Sequence, residues 1–333
     1  MKKLLITGAN GFVGANLCRY FLARGRQVYG LVRKSSDTQS LNGLDIQLIY
    51  SDLADPDTIK IPADVDEIIH SASIVSDTAG DETCRRNIYD LAVNLARKIE
   101  EMPRPPRRLV HISTALTLGY DATDISEDKP GKPALFLAYA RYKIKTEAFL
   151  LDRWRTSGLP VVILRPGDIF GPYDRVTSAK MLRGIERGIP LIVGSGRRRF
   201  GYCYSGNLCR AAELALEKEE IEGRAYTVTN GVLPTWREFI TGLQSGLGRR
   251  QRVYGPVWPA FALAGLLKGV RKLRPGFEPA LTVYRIKRIT SETTYDISKT
   301  VRELDYRPDD RIDAQIREIV AWYRKEKADG FIR

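Results

Sequence analysis

Histidine and cysteine are scarce in this 333-residue chain, and their scarcity removes several kinds of chemistry at once. The two histidines, His70 and His111, lie at the ends of apolar runs, where they read as core residues, and no metal site is expected. Cys18, Cys84, Cys203 and Cys209 form no C-x-x-C pair and are too few for a disulfide framework, so they read as buried thiols in a reduced cytoplasmic setting. No apolar run reaches the length that spans a bilayer, and 28% charged residues argues against an integral membrane protein. "MKKLL" imitates the start of a leader, but the apolar run stops at Ile6 and glycines follow, so a first strand is expected there. Internal repeats and low-complexity tracts are missing. So is any nucleic-acid-binding motif to accompany the net charge of +13, which makes nucleic acid an unexpected partner and leaves anionic small molecules or anionic lipid.

What the chain does have is alternation. Apolar strand-like runs at 3–7, 28–32, 46–50, 67–70, 108–113 and 160–165 are separated by helical spacing at 16–24, 87–102 and 138–156. Strand, helix and strand in turn predict an α/β fold with a Rossmann-type doubly wound parallel sheet. That dinucleotide-type domain is expected over 1–172, with a returning segment at about 200–232. Residues 173–199 and 233–333, irregular and interrupted by Pro234, Pro256, Pro259, Pro275 and Pro308, are expected to form a smaller, partly interleaved C-terminal α+β substrate domain.

Directly after the first apolar run comes "TGANGFVG", with Gly8, Gly11 and Gly14 three apart. Between a strand and a helix, such glycines allow a tight turn, close approach of a pyrophosphate to the backbone, and close packing of helix on sheet. The helix N-terminus supplies free amides and a positive dipole end to the phosphates. Far downstream, "YARYK" sets Tyr139 and Lys143 four residues apart, on one face of a helix. A dinucleotide site and a paired phenol and ammonium in one α/β chain point to hydride chemistry assisted by a proton donor.

With these two motifs and the pieces "SDLAD", "HSAS", "HISTALTLGY", "ILRPGDIFGP" and "YDISKTVRELDYRP" in order, the sequence resembles the extended short-chain dehydrogenase/reductase superfamily. Its nucleotide-sugar epimerase/dehydratase and 3β-hydroxysteroid dehydrogenase-like branches are the nearest in pattern. The resemblance implies that Thr114, Tyr139 and Lys143 are catalytic and that Asn87 helps hold the active-site water network. It implies cofactor contacts from Gly8, Asn10, Gly11, Phe12, Val13 and Gly14 in the first turn, from Asp52 and Leu53 at the adenine, and from Ala72 and Ser73 at the nicotinamide ribose. Pro166 and Gly167 would pass near the nicotinamide, with Tyr139 and Lys143 also touching the cofactor.

A free phenol has a pKa near 10, and an ammonium about 4 Å away contributes on the order of 4 kcal/mol at an effective dielectric of 20. Lys143 is therefore expected to lower the pKa of Tyr139. Ala115 and Leu116 follow Thr114 where the sugar 4,6-dehydratases resembled here carry Asp-Glu, so dehydration is not expected. Asp168 replaces the Asn of many nucleotide-sugar members. The expected activity is oxidoreduction of a hydroxyl or carbonyl group on a small, hydrophobic substrate. A nucleotide-sugar 4-epimerase with tightly bound NAD is the first alternative, and a nonenzymatic NADP-binding regulator the second. Val32 at the end of the second strand, followed by Arg33 and Lys34, favours the 2′-phosphate of NADP over the ribose hydroxyl of NAD. A homodimer is the expected assembly. Finally, "VWPAFALAGLLKGV" at 257–270 is apolar all round, bracketed by Arg249, Arg250 and Arg252 before it and by Lys268, Arg271, Lys272 and Arg274 at its end. A core helix is the first expectation for it; a lipophilic wall of the substrate site, or a peripheral membrane contact, is the second.

Overall fold

The computed structural model describes residues 2–249, 254–274, 277, 279 and 281–332; Arg250, Arg252 and Pro275 of the sequence reading, and the side chain of Lys272, lie outside what is described. The first half runs β1 (Lys3–Thr7), α1 (Phe12–Leu22), β2 (Gln27–Val32), β3 (Gln47–Tyr50), β4 (Glu67–His70), α2 (Asp81–Cys84), α3 (Asp90–Glu100), β5 (Arg108–Ile112), α4 (Ala138–Ser157) and β6 (Val161–Pro166). The second half continues β7 (Asp168–Phe170), α5 (Ser178–Glu186), β8 (Ile192–Val193), β9 (Tyr202–Tyr204), α6 (Ser205–Glu217), β10 (Ala225–Val228) and α7 (Trp236–Gly246). It ends with β11 (Tyr254–Gly255), α8 (Val257–Leu273), α9 (Val283–Thr290), α10 (Ser298–Leu304) and α11 (Ile312–Ala328).

Seven strands form one sheet in the order β10-β6-β5-β4-β1-β2-β3, every pair parallel. Parallel strands covered on both faces need unbroken apolar side chains, and β5 and β6 are buried at every position. On one face, Leu4, Ile6 and Val110 pack under Leu17 and Phe21 of α1 and Leu208 and Ala212 of α6. On the other, Leu5, Ile68 and Ile163 pack under Leu95 and Ile99 of α3 and Leu150 of α4. The sheet is therefore doubly wound, as its alternating pattern predicts. Late in the chain, Leu304 and Tyr306 return to the first of these cores. α4 stops where Gly158 takes a left-handed conformation at φ +73°.

A second core, around Phe170, Phe200, Tyr202 and Trp236, is covered by α5, α7 and α11. Phe200 and Trp236 stack with centroids 3.9 Å apart. Thr235 and Glu238 form a reciprocal capping box that fixes where α7 begins. These elements carry the C-terminal wall up to the ends of β6 and β7, where the sheet meets a cleft.

The expectation of a core helix at 257–270 is corrected. Among the described residues of α8 only Ala264 is buried, whereas Trp258, Leu263, Leu266 and Leu273 are exposed. The helix is apolar on two sides, and α9 covers just one of them: Ala264 packs with Ile286 and Val193. Among the described residues, no helix is long and apolar enough to cross a membrane.

Candidate active site

A cleft of about 650 Å³ opens at the carboxyl ends of the central strands, the usual ligand position of a doubly wound sheet. Its floor at one end is the turn from β1 into α1. Gly8 holds φ +65°, a conformation that side chains resist, and a Cβ on Gly14 would lie 2.1 Å from the Gly8 carbonyl oxygen. These two glycines let helix, turn and strand close on one another. Gly11 caps α1 with no side-chain hydrogen bond, so the first-turn amides of Phe12, Val13 and Gly14, which lack intrahelical acceptors, face the cleft without a capping partner. An uncapped helix N-terminus with no intervening Cβ fits a pyrophosphate.

The other wall belongs to α4. Tyr139, Lys143 and Glu147 follow one another at four-residue spacing and so share a face. Tyr139 and Lys143 line the cleft, as does Thr114 from the end of β5. Thr114 is extended and begins a short helical turn, its hydroxyl accepting from the Leu116 amide at 3.3 Å. The same hydroxyl acts on the Tyr139 phenol, drawing its pKa down. Lys143 Nζ donates to the Ile112 carbonyl at 2.9 Å. Beneath it, Glu147 is fixed by Arg165 on β6, whose Nη2 and Nε donate to its Oε2 at 2.7 and 3.0 Å, while Ser113 donates to its other oxygen. A second arm of Arg165 reaches Glu127 at 2.7 Å.

Here the expected tuning of Tyr139 by Lys143 is corrected. Burial raises the phenol's pKa well above its ordinary value; the Thr114 hydroxyl opposes the rise, and Tyr284, Cys84 and Asp168 add to it. Lys143 is not among these influences. Its own pKa is pushed down to about 8 by burial, with the Glu147 carboxylate resisting the fall. Withdrawal from water sets both shifts, so the structure presents a neutral phenol and a weakly basic amine on one face of α4.

Other residues singled out in the sequence fall into two groups. Ser73, Pro166 and Gly167 line the cleft; Ala72 does not, but its Cα is what a Cβ on Gly8 would strike. Asn10, Arg33, Lys34, Asp52, Leu53 and Asn87 lie outside its lining. The Asn10 side chain donates to the Asp37 carbonyl across the mouth of the turn. Arg33 and Lys34 are exposed just past β2. Leu53 is packed in the core, leaving Asp52 as the half-exposed member of that pair. Asn87 sits in a π-helical turn between α2 and α3; its side chain donates to the Thr83 carbonyl and its own carbonyl accepts from Ile74. That backbone link ties it to the cleft's rim, but its side chain does not reach Tyr139 or Lys143.

Sequence reasoning missed the C-terminal contributors Tyr284, Arg288 and Tyr295, which line the cleft opposite α1 together with Asp168. Nothing in the spacing of Tyr284 and Arg288 marks them, since α9 reads as an ordinary amphipathic helix, while Tyr295 lies beyond it at the head of "YDISKTVRELDYRP". Arg288 is buried and paired with Asp168, which holds the guanidinium charged. The two histidines meet in register across β4 and β5, ring centroids 5.2 Å apart, below Lys143.

Comparisons with known proteins agree with this geometry. A family model described as the NAD dependent epimerase/dehydratase family matches residues 4–229. Sterol demethylase protein B of Methylococcus capsulatus is 31% identical over 342 residues, 96% of this chain and 98% of that protein. A Stigmatella aurantiaca protein named 4-hydroxy-2-methyl-3-oxo-4-farnesyl-3,4-dihydroquinoline-1-oxide ketoreductase is 30% identical over 313 residues, 91% of each chain. Among solved structures, UDP-glucuronic acid 4-epimerase from Bacillus cereus, in complex with UDP-glucuronic acid and NAD, superposes with a TM-score of 0.75 at 20% identity, covering 97% of this chain and 99% of that one.

Proposed function

The chain belongs to the NAD dependent epimerase/dehydratase family, an enzyme family of the extended short-chain dehydrogenase/reductase type, and from that premise we propose that it reduces a ketone on a hydrophobic small molecule, using NADP(H) in preference to NAD(H). The observation that carries the proposal is the convergence of Thr114, Tyr139 and Lys143 with the glycine turn on one cleft. Gly8, Gly11 and Gly14 with the α1 amides would hold the pyrophosphate, Ser73, Pro166 and Gly167 would border the nicotinamide end, and Arg33 and Lys34 would meet the 2′-phosphate. The cofactor supplies a hydride to the carbonyl carbon.

The protein's own groups manage the oxygen. Thr114 and Tyr139 hydrogen-bond to the ketone oxygen and fix its orientation. As the carbon accepts the hydride, the Tyr139 hydroxyl gives its proton to the oxygen, and the product is a secondary alcohol. A phenol whose pKa burial has raised stays protonated at neutral pH and is suited to that donation. Lys143, with a pKa near 8, can hold the proton that restores the phenol. The hydrophobic character of the substrate is supported by the farnesyl-bearing ketone and the sterol named for the two relatives. A cytoplasmic enzyme acting as a homodimer completes the reading.

The test is NADPH oxidation by the full chain against long-chain ketones, paired with Tyr139→Phe. Loss of the general acid should cut turnover by roughly 10² to 10⁴, while the rise in melting temperature given by NADP is kept. Near-native turnover in Tyr139→Phe would overturn the mechanism. Inertness toward ketones, with conversion of nucleotide sugars and no net cofactor consumption, would establish the 4-epimerase instead.

A further inference from the structure

α8 has an inner and an outer apolar face. Inward, Ala264 is 2% exposed against α9. Outward, Trp258 at 77%, Leu266 at 66% and Leu273 at 85% exposure recur eight and seven residues apart, two helical turns each, and so form one stripe. Large apolar side chains lined up in water forgo burial that a polar substitution would render unnecessary, and a continuous stripe of this kind marks a contact surface.

The surrounding charge identifies what it contacts. From Phe239 to Thr290 the sequence has ten lysines and arginines and one acidic residue. Lys268, Arg274 and Lys287 are exposed around α8 and α9. The nearby carboxylate of Asp77 is already engaged by Thr282 and Arg285. A short helix with an apolar face, a tryptophan near its start and cations at its flanks has the composition of a helix that lies flat in the headgroup region of an anionic bilayer. Seventeen residues of such character can lie on a membrane but not cross it.

Below the inner face lies a second cavity of about 420 Å³, walled by Ala264, Arg271, Leu281 and Val283 and rimmed by the exposed Phe136 and Lys268. It shares Asp77, Leu137 and Tyr284 with the cleft that holds Tyr139. The two cavities therefore adjoin through shared walls, with apolar Leu137 and Tyr284 beside Asp77 at the junction, which places the stripe-bearing helix next to the space leading to the reacting groups. We propose that α8 seats the enzyme on an anionic phospholipid surface and that the cavity beneath it admits a membrane-dissolved amphiphilic ketone to Tyr139. The docking half stands on the stripe and its charge alone; the passage rests on the ketone-reductase reading.

The experiment is co-sedimentation of the full chain with vesicles of phosphatidylcholine alone and of an equimolar mixture with phosphatidylglycerol. Binding to the anionic vesicles, weakened by salt, is expected. Leu266→Glu with Leu273→Glu should lower the bound fraction about tenfold, with folding verified by an unchanged shift in melting temperature on adding NADP. Lys268→Glu with Arg274→Glu, which leaves the stripe intact, should also weaken it. Absence of binding at low salt, or binding that ignores both pairs of changes, overturns docking; a stripe variant that splits a dimer without vesicle binding in the parent assigns the stripe to a second copy and overturns it too. Val283→Trp in the cavity wall should raise KM for a long-chain ketone about tenfold and leave a short one unaffected, and equal effects on both overturn the passage. Vesicle binding by a protein that reduces no ketone would remove the functional reading and leave docking in place.

Discussion

Lowering the pH from 7.5 to 5.5 should destabilise this fold by about 2.7 kcal/mol, and the loss should trace to His70 and His111. Burial pushes His70 down to about 3 and His111 well below its ordinary value, with the Lys143 ammonium adding repulsion to both. The folded protein thus keeps both rings neutral. An unfolded chain protonates each near pH 6.5, so protons favour unfolding; stability is complete above 6.5 and drains as pH falls, until His70 itself titrates near 3. Two pH units across that window cost about 1.4 kcal/mol for each ring. The window is unusually clean, because the chain has two histidines in all. Urea unfolding at pH 7.5, 6.5 and 5.5 measures the slope. His111 has no hydrogen-bond partner on either ring nitrogen, so His111→Leu removes a titrating group without orphaning another and should halve that slope. Stability that stays level across the window, or a His111→Leu slope equal to that of the parent, would refute the reasoning.

Two further outcomes follow from named contacts. Arg33→Ala with Lys34→Ala should weaken NADP binding by roughly 10- to 100-fold, the loss of one or two charge-assisted hydrogen bonds, while NAD affinity changes little; titration showing that the parent prefers NAD would sink the assignment. Glu147→Gln should cost on the order of 3 kcal/mol in urea unfolding, because it leaves Arg165 buried beside a neutral amide. Since Glu147 holds the Lys143 pKa up, the same change should also move the alkaline limb of kcat/KM to lower pH. Unchanged stability together with an unmoved limb would show that Glu147 neither anchors α4 nor acts on Lys143.

How much of this was legible depended on whether the relevant constraint was local. The parallel sheet and its order of elements were readable because buried strands need apolar runs and covering helices need apolar spacing, and both patterns are written in contiguous sequence. Gly8 and Gly14 were readable for the same reason: a steric demand at fixed offsets admits one residue type, while Gly11 between them meets only a tight contact. Tyr139 and Lys143 declared their shared face through a four-residue interval. Their electrostatics were not legible, because the direction of a pKa shift depends on how completely the fold dehydrates each group, and distance alone had suggested the opposite sign for Tyr139. α8 misled for a related reason. Its composition is that of a core helix, but a helix can be buried only if the rest of the chain supplies a second layer, and the residues to cover its outer face are not there in the described structure.

The wall formed by Asp168, Tyr284, Arg288 and Tyr295 brings the distant end of the chain to bear on substrate choice. Arg288 is 7% exposed, and a guanidinium so deeply placed needs a partner. Asp168 supplies it, and with its carboxylate committed to Arg288 that residue is poorly placed to bind an incoming sugar hydroxyl. Tyr295 is committed as well, donating to the Gly119 carbonyl at 3.0 Å and so fastening this wall to the turn that follows Thr114. Burial raises the pKa of Tyr284, to about 12, and of Tyr295, which keeps both phenols neutral and presents their rings to the cleft. Arg288 Nη1 is left without a hydrogen-bond partner among the described residues, so this wall sets one buried donor between the two aromatic rings. On the proposed ketone-reductase reading, the two rings suit a hydrophobic substrate held by shape and oriented by Thr114 and Tyr139, with Arg288 as a further donor. The departure at position 168, visible in the sequence only as a mismatch, is thus the near half of an ion pair whose far half arrives 120 residues later.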